Sequence, residues 1–158
     1  MRPAFTASNT LEISAGRKNG WDTNRAADIV ITRHILFIGG TSFDGRVCRG
    51  LEQKGYIVRR VDDCERAVDL LIGSRVDLVI LDLDEVVDGA GFIGRIRRIP
   101  MFHRTRVLAL GDWGSGKPTL ALSAGADAYE PLPIDAKGLT EAVERILNAR
   151  AAVVGLNR

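Results

Sequence analysis

The sequence predicts an α/β protein with a doubly wound sheet of five parallel strands, covered by helices on both faces. From residue 34 onward, short apolar runs alternate five times with segments of helical period, which is the pattern of repeated strand and helix units. The runs are nearly continuous in apolar residues, as expected for strands buried on both sides. The chain has 158 residues, of which 46% are hydrophobic, enough to bury a single core. Functional sites in such a sheet lie at the carboxyl ends of the strands.

The predicted elements follow in strict order along the chain. The strands are the apolar runs at 35–38, 56–61, 76–81, 107–110 and 128–129. The helices are the segments of helical period at 44–54, 64–73, 90–98, 118–124 and 136–150. In the last helix, Leu139, Val143 and Ile146 share one face, at the spacing of an amphipathic helix. These bounds predict a domain at 33–150 and a short C-terminal tail at 151–158.

Residues 1–32 form a segment of different character. They mix Ser, Thr, Asn, Gly and Arg, with neither helical nor strand period before Ile29, which predicts a flexible N-terminal arm. No stretch of the chain approaches 18 uncharged apolar residues. We therefore expect a cytoplasmic location and no membrane span. Cys48 and Cys64 lack the spacing of metal or redox pairs and are expected to be reduced core thiols.

The charge of the chain argues against bulk binding of nucleic acid. The formal net charge is only +2, although the charges are unevenly distributed. Between Asp88 and Asp112 there is no acidic residue, and this interval holds Arg95, Arg97, Arg98, Arg104 and Arg106. The cluster indicates either a solvated face or a surface for an anionic partner.

Two glycine-rich stretches raise nucleotide binding as an alternative function. The stretch GDWGSGKPT at 111–119 matches G-x-x-x-x-G-K, but Pro118 stands where a hydroxyl should hold magnesium. The stretch ILFIGGTSFDG resembles the first turn of short-chain dehydrogenases, with Gly39 and Gly45 in place. The chain has no Tyr-x-x-x-Lys pair for hydride chemistry. Because both stretches retain glycines at the expected spacing, a phosphate site at Gly39–Gly45 or at Gly111–Lys117 stays an alternative.

Four segments in order resemble the receiver domain of bacterial two-component response regulators, over residues 34 to about 148. They are GYIVRRVDDCERAVDLL, VDLVILDLDEVVDGAGF, RVLAL and SAGADAYEPLPI. The resemblance implies a flavodoxin-like sheet in the order 2-1-3-4-5. It also implies a phosphoryl acceptor at the end of the third strand, where Asp82 stands, and a Mg²⁺ ion that neutralises phosphoryl oxygens.

The residues that should surround such an acceptor are altered. The two acidic metal ligands expected after the first strand are Gly39 and Gly40, and the expected Ser or Thr after the fourth strand is Gly111. Leu132 replaces the expected lysine. The sequence therefore predicts a degenerate pocket in which Mg²⁺ does not bind and Asp82 is not phosphorylated.

Some features of the family are retained, and some residues could compensate for the losses. The resemblance implies a cis bond before Pro133, and Tyr129 matches the family's switch aromatic. Phosphorylation of Asp82 with substitute ligands stays a second alternative, since several polar side chains fall near the same edge of the sheet. They are Asp62, Asp63, Asp84, Asp112 and Lys117.

The predicted function is that of a stand-alone, receiver-like signalling protein without enzymatic activity or cofactor. It would act by binding a histidine kinase, a phosphotransferase or another regulator, and a homodimer is an open possibility. The resemblance places contacts on the face of the fourth helix, fifth strand and fifth helix. The predicted contact residues are Trp113, Lys117, Tyr129, Glu130, Leu132 and Pro133. Trp113 is the most informative, because an aromatic side chain on a Gly-rich loop can anchor a partner.

Overall fold

The computed structural model describes residues 31–39 and 45–156. Its strands are β1 (His34–Ile38), β2 (Ile57–Val61), β3 (Leu78–Asp82), β4 (Arg106–Gly111) and β5 (Ala128–Pro131). Its helices are α1 (Gly45–Gln53), α2 (Cys64–Gly73), α3 (Gly89–Arg97), α4 (Lys117–Ala124) and α5 (Ala136–Leu156), with a 3₁₀ turn at Pro100–Phe102. The predicted arm, apart from its last two residues, lies outside the described residues, and so does Gly40.

The strands form one parallel sheet in the order β2-β1-β3-β4-β5. This is the predicted order 2-1-3-4-5, so the predicted fold class is confirmed. The register aligns the carboxyl ends of the central strands, since Ile38 pairs with Leu81 and Asp82 pairs with Leu110. Gly111 pairs with Pro131 on the far side of β4. The residues that follow these strands therefore meet at one edge of the sheet.

The core has two layers, one on each face of the sheet, as the apolar runs predicted. In β3, Val79 and Leu81 pack into the layer that contains α2 and α3. Leu78 and Ile80 pack into the opposite layer, which contains α1 and α5. Every residue of β3 is buried, including its last residue, Asp82. A carboxyl group is thus carried into the interior by a strand whose apolar neighbours require burial on both faces.

The starts of two helices follow local chemistry that the sequence indicates. Asp63 caps α2, because its carboxylate accepts a hydrogen bond of 2.9 Å from the backbone N–H of Arg66. Gly116 precedes α4 with a positive φ of 78°, and Pro118 lies in the first turn. One carboxylate oxygen of Asp63 is thus engaged at the start of α2.

Helix α5 differs from the prediction at its end. It was expected to stop at 150, but it continues to Leu156, so residues 151–156 of the predicted tail are helical. The segment after 150 reads AAVVGL, which has neither a proline nor a capping side chain to stop a helix. Among the helices that the structure describes, none is long and apolar enough to cross a membrane.

The arginine cluster is partly structural. The guanidinium of Arg97 donates to the carbonyl oxygens of Gly125 at 2.9 Å and Thr105 at 2.8 Å, and also to that of Phe102. It also pairs with Asp127 at 2.9 Å, and Arg106 pairs with the other oxygen of the same carboxylate. Arg97 therefore joins the end of α3 to the loops before β4 and β5, and two of the five arginines stabilise the fold itself.

Candidate functional site

The centre of the site is the buried side chain of Asp82. Its Oδ1 accepts hydrogen bonds from the backbone N–H groups of Asp84 at 2.9 Å and Glu85 at 3.3 Å. Its Oδ2 is buried and has no hydrogen-bond partner among the described residues. Burial raises the pKa of Asp82, the N–H of Asp84 opposes this shift, and the charge of Glu85 adds to it. One oxygen of the carboxyl group is therefore hydrogen-bonded and the other is not, so ionisation of this buried group costs free energy.

Gly39 stands where the resemblance places an acidic metal ligand. Its φ is 83°, a conformation that glycine adopts freely and that other residues adopt at a cost. A Cβ at this position would lie 2.9 Å from Cγ2 of Val86 and 3.2 Å from Cβ of Asp82. Val86 is buried and fills the space that a side chain at position 39 would need. A carboxylate at position 39 therefore does not fit this backbone.

The described residues do not fit the magnesium site that the resemblance implies. Mg²⁺ prefers an octahedral set of oxygen ligands that includes carboxylates. No group of three His, Cys, Asp or Glu side chains that could hold a metal ion occurs among the residues described. Of the substitute carboxylates, Asp63 caps α2 and Asp84 pairs with an ammonium.

A polar network joins the loops that follow β3 and β4. Lys117, the first residue of α4, forms a short ion pair with Oδ1 of Asp84. The backbone N–H of Asp112 donates to the same oxygen at 3.1 Å. The hydrogen bond from Lys117 lowers the pKa of Asp84, so the carboxylate is ionised at neutral pH. The ammonium of Lys117 thus faces a carboxylate of its own chain at this edge of the sheet.

Tyr129 occupies the place of the side chain that Gly111 lacks. A Cβ on Gly111 would lie 2.6 Å from the Tyr129 hydroxyl. That hydroxyl donates to the carbonyl oxygen of Asp112 at 2.7 Å. Burial, followed by the negative charges of Asp84 and Asp112, raises the pKa of Tyr129 to about 12. The aromatic ring is therefore held inward as a neutral hydrogen-bond donor.

Trp113 lies beside this ring and is largely exposed. The ring centroids of Trp113 and Tyr129 are 6.4 Å apart, with an interplanar angle of 50°, within the range of aromatic contact. The Trp113 residue is 66% exposed. Its indole therefore has one supported side and one side open to solvent.

The remaining predicted residues lie along the β5 edge. The Leu132–Pro133 peptide bond is cis, as the resemblance implied. Leu132 packs against the α1 and α5 side of the core, and its N–H donates to the carbonyl of Gly111 at 2.9 Å. Glu130 accepts from Arg145 at 2.7 Å. The side chain that replaces the expected lysine therefore belongs to the apolar core.

The structure brings most of the predicted site residues to one edge of the sheet, and it adds two residues that the sequence did not single out. Gly39 and Asp82 are in contact, since a Cβ at Gly39 would lie 3.2 Å from Cβ of Asp82, and Gly111 ends the strand that neighbours Asp82. Val86 was missed, although it follows Asp82 by four residues and is linked to it by a backbone hydrogen bond of 3.0 Å. Arg145 was missed because its pairing with β5 depends on the docking of α5.

Comparison with known proteins gives structural matches. No protein-family model matches the sequence, and no curated protein matches it. The chemotaxis response regulator CheY4 of Vibrio cholerae matches with a TM-score of 0.67 at 23% identity, over 74% of this chain and 100% of that one. A putative response regulator from Chloroflexus aurantiacus matches with a TM-score of 0.64 at 26% identity, over 75% and 99%.

A third solved structure extends the same pattern. An orphan response regulator of H. pylori matches with a TM-score of 0.65 at 24% identity, over 73% of this chain and 96% of that one. These structural neighbours share the five-stranded parallel sheet in the order 2-1-3-4-5. The described part of the chain therefore has the fold of a response-regulator receiver domain.

Proposed function

We propose that this chain is a degenerate receiver that acts by protein–protein interaction without an aspartyl-phosphate switch. The observation that supports this most directly is the packing around Asp82. Val86 fills the space at Gly39, and the hydroxyl of Tyr129 fills the space at Gly111. At two positions where the family's pocket needs polar side chains, this chain thus has glycines, and neighbouring side chains occupy the space.

The chemistry of phosphoryl transfer explains why this packing matters. A transferring phosphoryl group carries negative charge on its oxygens, which a metal ion and cationic side chains must neutralise. Here the ammonium of Lys117 is paired with Asp84, and Leu132 supplies no ammonium. Burial also raises the pKa of Asp82, which lowers the fraction of nucleophilic carboxylate. The nucleophilicity of Asp82, the binding of a metal ion and the neutralisation of phosphoryl charge are therefore all weakened.

The surface near α4 supports a role in protein binding. Trp113 precedes α4, and Leu120 and Leu122 are 59% and 50% exposed on the helix itself. Exposed apolar side chains and exposed tryptophans both occur at protein interaction sites. The partners that fit the receiver fold are a histidine kinase, a phosphotransferase or another regulator of two-component signalling, with a second copy of the chain as the simplest case.

The decisive experiment is phosphorylation in vitro. The protein is incubated with acetyl phosphate and Mg²⁺, and in parallel with beryllofluoride and Mg²⁺. Intact-mass spectrometry and ¹H–¹⁵N spectra are then recorded. We expect no phosphoryl adduct and no shift of the amides near Asp82, while an active receiver domain treated alongside gains both. An adduct that disappears in Asp82→Asn would refute the proposal.

A second experiment addresses binding. The immobilised protein is used to capture partners from the native cell, and wild type is compared with Trp113→Ala and with the matched surface variant Ile72→Ala, on the exposed side of α2. We expect capture of a signalling protein that only Trp113→Ala abolishes.

Thermal-shift titrations with ATP, GTP, NAD and cyclic dinucleotides test the alternative of nucleotide binding, because a saturable rise in Tm would indicate a real site.

A further inference from the structure

The backbone on both sides of Trp113 is held by hydrogen bonds, although the loop is rich in glycine. The N–H of Asp112 donates to Asp84, and the carbonyl of Asp112 accepts from Tyr129. The carboxylate of Asp112 accepts the N–H of Gly114 at 3.0 Å. The peptide groups before and after Trp113 are therefore both engaged, and the loop has a defined conformation.

Asp84 is the one side chain in this network that contacts two separate elements beyond its own loop. A single oxygen, Oδ1, accepts two hydrogen bonds. One comes from the ammonium of Lys117 at the start of α4, and the other comes from the backbone N–H of Asp112, directly after β4. The side chains of Asp84 and Lys117 are 34% and 31% exposed, so the pair is partly shielded from water. Charge-assisted hydrogen bonds of this kind are stronger than neutral ones.

We propose that Asp84 is a positioning residue that sets the conformation of the Trp113 loop and thereby the surface offered to a partner. This inference rests on the proposed function for the role of the surface, whereas the anchoring itself is a property of the isolated protein. In this arrangement the loop after β3 holds the loop after β4 through a carboxylate of the chain itself, without a phosphoryl group.

The geometry predicts a graded response to substitution at position 84. Asp84→Asn keeps an oxygen that can accept the N–H of Asp112 but loses the charge that holds Lys117. Asp84→Ala loses both contacts. Lys117→Gln removes the ammonium and leaves the contact between Asp84 and Asp112 in place. The loop should therefore be most mobile in Asp84→Ala and intermediate in the other two variants.

The test is backbone ¹⁵N relaxation of the Trp113 and Gly114 amides. In wild type we expect order parameters near the rigid value of about 0.85, and in Asp84→Ala we expect values below about 0.6. Asp62→Asn is the matched control, since Asp62 is an exposed carboxylate at the end of the edge strand, and it should leave the loop rigid. Amides of β1 and β3 report in each sample that the sheet is folded.

Two further measurements separate anchoring from general destabilisation. High salt screens a partly exposed ion pair, so it should lower the wild-type order parameters and leave those of Asp84→Ala unchanged. In the double variant Asp84→Asn, Lys117→Gln, the loss should not exceed that of Asp84→Asn alone, because both changes break the same pair. Unchanged loop order in Asp84→Ala, or a double variant in which the two losses add, would overturn the inference.

These results are independent of the phosphorylation assay. A mobile loop in Asp84→Ala together with a phosphoryl adduct on Asp82 would support the anchoring and refute the proposed function. A rigid loop in Asp84→Ala without any phosphoryl adduct would refute the anchoring and support the proposed function.

Discussion

Asp82→Asn should raise the free energy of unfolding at neutral pH. The wild-type carboxyl group is 0% exposed, and one of its oxygens has no hydrogen-bond partner among the described residues. A buried, unsatisfied polar atom costs about 1–3 kcal/mol. Asparagine keeps Oδ1 for the N–H groups of Asp84 and Glu85 but carries no charge, so it removes the cost of a buried negative charge. Because the amide nitrogen also needs a partner, we expect a net gain of about 1 kcal/mol.

The sign of the pH dependence follows from the raised pKa of Asp82. Below the carboxyl pKa of the unfolded chain, about 4, Asp82 is protonated in both states and contributes no penalty. As the pH rises above this value, the unfolded state loses its proton first, and the wild-type protein loses stability until the pH passes the folded pKa. The advantage of Asp82→Asn should therefore be absent at low pH and should grow until the pH passes the folded pKa of Asp82.

Urea unfolding followed by circular dichroism at a series of pH values measures this difference. A gain of about 1 kcal/mol corresponds to a rise in Tm of roughly 3–6 °C for a domain of this size. Asp62→Asn, which removes an exposed carboxylate, serves as the control and should change stability by less than about 0.5 kcal/mol. A loss of stability in Asp82→Asn at neutral pH, or a gain that does not vary with pH, would show that the Asp82 carboxylate is paired in the folded protein.

Three other substitutions test the packing of the site and its support. Gly39→Asp should lower the free energy of unfolding by about 2 kcal/mol or more, since a positive φ costs about 1–2 kcal/mol and the new Cβ meets Val86; urea unfolding measures the loss. Gly111→Ser should cost about 1–3 kcal/mol and displace the Tyr129 hydroxyl, which amide shifts around β5 will report. Arg97→Met breaks hydrogen bonds to three carbonyls and one carboxylate, and should cost about 2–4 kcal/mol in thermal or urea unfolding.

Matched variants make these results interpretable. Gly73→Asp adds a side chain to a glycine with open space around it, and should cost less than Gly39→Asp. Arg98→Met, at an exposed arginine next to Arg97, should change stability by less than about 0.5 kcal/mol. A Gly39→Asp protein as stable as wild type would mean that Val86 does not hold its place. Equal effects of Arg97→Met and Arg98→Met would mean that Arg97 does not join α3 to the loops before β4 and β5.

Local patterns in the sequence predicted the fold to within one or two residues at most element bounds. Apolar runs such as LVIL at 78–81 predicted the strands, because burial on both faces of a sheet favours apolar residues at every position. The position of Asp82 followed from its place at the end of such a run. The extension of α5 beyond 150 was missed because the sequence has no signal there that separates a helical end from a tail.

The side-chain contacts of the site could not be predicted in the same way. The pairing of Asp84 with Lys117 joins residues 33 positions apart, and it depends on the register of β3 and β4 and on the course of two loops. The contact between the Tyr129 hydroxyl and the space above Gly111 depends on the register of β4 and β5. Arg97 was placed in a surface cluster because an arginine on a helix is usually solvated, whereas here its acceptors are brought in by the two connections that precede β4 and β5.

The close fit of Val86 against Gly39 also bears on how such a domain can change by mutation. A single substitution that introduces an acidic residue at position 39 meets both an unfavourable backbone conformation and an occupied space. A smaller residue at position 86 would have to come first, and on its own it would leave a cavity in the core. A route by single substitutions to an acidic residue at position 39 therefore passes through less stable intermediates, so the packing of one valine favours retention of the glycine.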